Sequence, residues 1–191
     1  AVGDTLLAGN GGRLSGIQTL SGQVRWDALV GSSRGTNEVE RLVDLVAGVS
    51  RQGNTVCVRA FQTAVGCVDT ARGLVLWTRP AQGHQGLDGD ETRVFGVESD
   101  SKLRAWSRLD GQPVWSEDQY RFRGLTAPRV WGNALALGDA QGMVHLLSRD
   151  KGQTLQRLST DGTPVAQPPV VAGRTLVTVN RSGLVTGWRV D

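Results

Sequence analysis

Four stretches of the chain repeat one phrase: GIQTLSGQVRW (Gly16 to Trp26), GCVDTARGLVLW (Gly66 to Trp77), AWSRLDGQPVW (Ala105 to Trp115) and HLLSRDKGQTLQ (His145 to Gln156). Each has a small or apolar start, a glycine in the middle and, in the first three, a tryptophan at the end. The fourth carries Gln156 in the tryptophan slot. The central glycines, Gly22, Gly73, Gly111 and Gly152, are spaced by 51, 38 and 41 residues. Ten residues before each lies a turn position (Gly12, Thr63, Ser101, Gly142), followed two residues later by Leu14, Val65, Leu103 or Val144. Gly183 and Val185 fill the same slot a fifth time.

A period near 40 residues, built of short alternating runs and tight turns, is the signature of β-propeller blades. The predicted fold is all-β, with blades of four antiparallel strands, about four to five of them, forming a partial arc of an eight-bladed propeller. The units fall at 1–28 (partial), 43–80, 84–118, 125–160 and 165–191 (partial), about eighteen strands in all. First strands are expected near His84 to Leu87, Thr126 to Val130 and Pro168 to Val171. The arc is expected to leave an open strand edge at Leu184 to Val190 and two open blade faces, through which it is expected to self-associate.

Composition narrows the function. Hydrophobic residues make 39% and charged residues 20%, a globular balance, and no apolar run is long enough to cross a bilayer as a helix. The 21 basic residues are scattered singly rather than clustered, so nucleic-acid binding is not expected despite the net charge of +3. The carboxylates are dispersed in turns, Asp110 and Asp150 among them, and His84 and His145 stand without a nucleophile motif. His145 is expected to be a packed or surface side chain. No catalytic residue, metal site or cofactor is expected.

The tryptophans of the repeat slot (Trp26, Trp77, Trp115) are expected to dock between blades, and Trp131 to sit partly exposed at a turn. Cys57 and Cys67 lie on the arms of one hairpin. A three-residue turn centred on Gln62 would set them face to face and able to bridge; a two-residue turn, Gln62-Thr63, would send them to opposite faces. The repeat phase favours the second, which predicts two buried free thiols.

One insertion separates the first two units: DALVGSSRGTNEVERLVDLVAGV, Asp27 to Val49. Long loops on a propeller gather at its rims, where partners bind. The mixture of Glu38, Glu40, Arg41 and Asp44 with Leu42 and Leu45 predicts a partner-binding rim loop.

The blade repeat resembles the quinoprotein-type eight-bladed propellers. More narrowly, GTNEVERLVDL (Gly35 to Leu45), GDAQGMVHLL (Gly138 to Leu147), SGLVTGWRVD (Ser182 to Asp191) and Thr126-Ala127-Pro128 resemble, in order and spacing, the C-terminal half of the BamB family, lipoprotein subunits of the outer-membrane β-barrel assembly machine. The resemblance implies a non-catalytic scaffold at the periplasmic face of the bacterial outer membrane, in a parent protein that is lipid-anchored, bound to the POTRA domains of BamA. Asp44, Arg41 and Leu42 fit that pattern; Val46 stands where the pattern has a second acid. The chain opens Ala1-Val2-Gly3-Asp4 without a leader or a lipid-accepting cysteine, so an anchor would lie outside this sequence. Two alternatives are a quinone-dependent dehydrogenase-like propeller, whose adjacent cysteine pair and calcium ligands find no counterpart here, and a general interaction propeller with another partner.

Overall fold

The computed structural model describes residues 1–32 and 43–189. Their eighteen strands form five antiparallel sheets, and no helix is found among the described residues. Sheet 1 holds β1 (Thr5–Asn10), β2 (Arg13–Gln18) and β3 (Val24–Leu29). Sheet 2 holds β4 (Leu45–Gln52), β5 (Thr55–Ala60), β6 (Ala64–Asp69) and β7 (Leu74–Pro80). Sheet 3 holds β8 (Leu87–Gly89), β9 (Arg93–Val97), β10 (Leu103–Ser107) and β11 (Pro113–Glu117). Sheet 4 holds β12 (Arg129–Trp131), β13 (Ala134–Gly138), β14 (Met143–Ser148) and β15 (Thr154–Ser159). Sheet 5 holds β16 (Val170–Ala172), β17 (Thr175–Val179) and β18 (Val185–Trp188), with β18 at its edge.

Every strand pairs with its neighbour in sequence, as up-and-down blades require. The middle strands read TVCVRA and ALALG rather than alternating, because both faces of an inner sheet are covered by neighbours. The apolar core is accordingly four clusters, one per seam. Leu14, Val56 and Val68 fill the first; Cys57, Trp77, Val94 and Trp106 the second; Phe95, Leu103, Leu135 and Leu147 the third; Trp131, Val144 and Leu176 the fourth.

The repeated tryptophans close the outer part of the first three seams. Trp26 lies against Gly73, Trp77 against Gly111 and Trp115 against Gly152, each glycine in the outer hairpin turn of the next sheet. All three glycines have left-handed backbone (φ 68°, 71° and 71°). A Cβ there would fall within 2.7 Å of an indole carbon, so the turn requires glycine twice over, for its φ and for the close approach. The Trp77 indole N–H donates to the Arg108 carbonyl at 2.8 Å and that of Trp115 to Arg149 at 2.9 Å. A β-bulge recurs between the last two strands of the first four sheets, at Gly16/Ile17, Cys67/Val68, Ala105/Trp106 and Leu146/Leu147.

Three expectations are corrected. Cys57 and Cys67 form a disulfide. They pair directly because the β5–β6 register is centred on Gln62, as those of the later blades are centred on Asp100, Gln141 and Ser182. An odd-centred turn keeps the two side chains on one face. Trp131 is buried (8% exposed): it ends β12 rather than sitting in the turn, and its N–H reaches the Arg174 carbonyl of sheet 5 at 3.1 Å. The first strands of blades 3 to 5 start two or three residues later than expected. In blades 4 and 5, Pro128 and Pro168-Pro169 lack the N–H that a ladder needs.

Truncation of Trp77 to Ala is expected to cost about 3–5 kcal/mol in denaturant unfolding, whereas Leu20→Ala, on an exposed turn, should stay within about 0.5 kcal/mol. The native chain should offer no thiol to iodoacetamide until reduced, and reduction should lower its unfolding free energy by about 2–4 kcal/mol.

Candidate protein-docking rim

The hairpin turns between second and third strands, and the passages that enter the next sheet, share one rim. Main-chain hydrogen bonds tie turn to passage: Gln62 N to Gly83 O, Ser99 N to Gln82 O, Phe122 N to Asp100 O, Ala140 N to Arg123 O and Val165 N to Asp139 O. The opposite rim carries the β8–β9 and outer turns, where Arg93 of sheet 3 meets Asp150 of sheet 4 at 2.8 Å.

Asp44 stands on the first rim, exposed, one residue before β4. Its carboxylate accepts the Leu45 N–H at 2.8 Å, and its carbonyl accepts the Phe61 N–H at 2.8 Å. The aspartate is thereby fixed to the β5–β6 turn. Leu45 is half-buried, and packs on the seam between sheets 1 and 2 near Gly9. The structure thus keeps Asp44 and Leu45 side by side, one turned to solvent and one partly to the core. Glu38, Glu40, Arg41 and Leu42 lie outside the described residues.

Sequence reasoning missed several rim features. Phe61, beside Asp44, is 42% exposed, and Phe122 is 83% exposed with a left-handed backbone at φ 61°. Between them opens a cleft of about 490 Å³ lined by Gln62, Gln82, Glu98, Ser99, Lys102 and Arg104, among others. An arginine inside an otherwise apolar strand, Arg59 in TVCVRA, was the one available signal for it.

Further along the rim, Asp139 is a buried node. It accepts the Gln141 and Met143 N–H groups, each at 2.9 Å, and Arg123 Nε and His145 Nε2, each at 2.8 Å. His145 is 1% exposed, its ring lies 4.6 Å from that of Tyr120, and its Nδ1 has no partner. Of the two expected placements of His145, packed or surface, the structure shows the packed one, with the added task of clamping the turn. Burial pushes the His145 imidazole below its ordinary pKa, although the Asp139 bond opposes that. Burial alone would raise the Asp139 carboxyl, but bonds from His145, Met143 and Arg123 outweigh it and hold it low.

The sequence profile of the family described as outer membrane protein assembly factor BamB matches residues 1–117 and 90–190. The chain belongs to the BamB family. It is 36% identical over 179 residues to BamB of Burkholderia pseudomallei, covering 94% of this chain and 47% of that protein. It is 31% identical over 190 residues to BamB of Alkalilimnicola ehrlichii, covering 99% and 50%. The crystal structure of Moraxella catarrhalis BamB superposes with a TM-score of 0.88 at 26% identity, over 98% of this chain and 56% of that one. A designed protein, Ika4, superposes at 0.64 with 19% identity over 85% of this chain and 98% of its own, a likeness of fold alone. The chain spans about half the length of the curated BamB relatives it matches. The propeller arc is thus that of BamB proteins, whose name states an assembly role.

The Asp139–His145 node sets a pH dependence for this BamB-family chain. The folded state holds His145 neutral, so below pH 6.5 the unfolded state binds the extra proton and stability falls as pH falls. Asp139, depressed when folded, adds a loss as pH falls below the ordinary carboxyl value of 3.8. Between pH 7.5 and 5.5, His145→Gln is expected to flatten the fall in unfolding free energy, read by urea titration at each pH.

Proposed function

We propose that the chain is a scaffold segment of the outer-membrane β-barrel assembly complex, and that it binds the POTRA domains of BamA through the rim that carries Asp44. The reading is non-catalytic. It places the parent protein at the periplasmic face of the outer membrane, held by a lipid anchor. The observation that carries it is the exposed Asp44, pinned through its own carbonyl to the β5–β6 turn and sitting at the end of the segment that carries the family pattern.

The chemistry is that of a charged rim beside apolar side chains. Asp44, with Glu38 and Glu40, supplies negative charge for a basic partner surface. Arg41 adds a hydrogen-bonding fork, and Leu42 and Leu45 supply apolar area. Charges at a rim mainly set association rate and specificity, while a desolvated leucine slows dissociation. A rigidly held aspartate is suited to this, because little side-chain freedom remains to be lost on binding.

The test is surface capture of the chain by a BamA POTRA fragment at physiological salt. Wild type is expected to bind, and Asp44→Arg to weaken binding by about tenfold or more, mainly in association rate, with an unchanged melting curve. Equal retention of the two would remove Asp44 from the contact, and absence of wild-type binding would point to another partner.

A further inference from the structure

Beneath the cleft between sheets 2 and 3 lies a buried cation that has no counter-charge of its own among the described residues. Arg59 leaves β5 and runs toward sheet 3, its guanidinium set among Gly83, Gly96 and Glu98. It is 0% exposed, and none of its three side-chain nitrogens has a hydrogen-bond partner among the described residues. Its counter-charge is Glu98, at 3.9 Å. That carboxylate is shared with Arg104, at 3.8 Å. Glu98 Oε2 accepts the Gln82 N–H, and its Oε1 has no hydrogen bond. Asp100, nearby, is committed to Arg121 at 2.8 Å.

A buried guanidinium without acceptors is expensive, and buried charges are normally paired. Desolvation brings the Arg59 pKa down to about 10, which still leaves it charged at neutral pH. The inner set is therefore two guanidinium groups to one carboxylate, with loose distances and open lone pairs and donors. Above it lies the polar cleft of about 490 Å³, lined by Glu98 and Arg104, with Lys102 at its edge. Gln62, at the centre of the β5–β6 turn, lines the same cleft in a left-handed conformation (φ 52°). A non-glycine residue held so carries backbone strain, which gathers at binding sites.

We infer that this cleft binds a carboxylate group, seated against Arg104 on the side away from Glu98, so that two cations alternate with two anions. A singly charged planar acceptor fits both the charge left over and the guanidinium fork. The carboxylate belongs to a polypeptide terminus or to an acidic side chain. The inference stands independently of the BamA reading, since it uses neither Asp44 nor the segment before it.

The test is thermal unfolding of the chain at pH 7 in sodium acetate against sodium chloride of equal ionic strength. N-acetylalanine and the α-amide of N-acetylglutamate serve as the terminal and side-chain forms. At least one carboxylate should raise Tm saturably by a few degrees beyond chloride, since ligand bound to the native state alone adds stability. Arg104→Gln should abolish the shift. Arg59→Leu, which suits the apolar strand and should fold, should abolish it too. The inference is overturned if every carboxylate tracks chloride, or if both variants keep the full response.

Discussion

An indole from one sheet resting on the left-handed glycine of the next is the contact on which the outer part of the arc depends. Trp26, Trp77 and Trp115 repeat it against Gly73, Gly111 and Gly152. A propeller blade cannot bury its own faces, so its stability is set by its neighbours. The Trp–Gly contact supplies a large apolar area at each of these seams. In two of them it also places an indole N–H on a carbonyl that a neighbouring sheet would otherwise leave to water. Where the slot becomes Gln156, the fourth seam uses Trp131 from an inner strand instead, and its N–H again finds a carbonyl of the next sheet. Position changes while the physical solution is kept.

Because cohesion comes from the seams, the rims are free to vary. The rim carrying Asp44 is held by turn-to-passage main-chain bonds and by the Asp139 node, with passage residues such as Leu125 and Val165 anchored in the seams. Such bonds fix backbone while leaving side chains available. Asp44, Phe61 and Phe122 are presented on that frame, and the Arg59–Glu98–Arg104 set lies beneath it. This division matches a platform: a rigid array of sheets, with chemistry placed on one edge.

The blade repeat was legible because glycine at the outer turn recurs in four units and tryptophan at the seam in three of them, each required by the contact with the next sheet. Strand starts were less legible. Thr126 and Pro168 sit beside apolar residues that read as strand, but the ladder begins only after the prolines that lack an N–H. The cysteine pairing turned on one residue of register at Gln62, and the turn positions alone do not say whether a hairpin centres on a residue or on a bond. Burial of Trp131 depended on a partner 43 residues away, at Arg174, which local pattern does not encode. At the rim, Asp44 could be singled out because its segment carries a family pattern. The Asp139 node and Phe122 could not, since each takes its meaning from groups contributed by other strands and passages.

The most direct measurement is hydrogen–deuterium exchange of the chain with and without a BamA POTRA fragment. Peptides spanning Asn37 to Leu45 and the Ala60–Ala64 turn should gain protection on binding, while the opposite rim at Asp90, Asp110 and Asp150 stays unchanged. Protection confined to that opposite rim, or spread evenly with no focus at Asp44, would contradict the account.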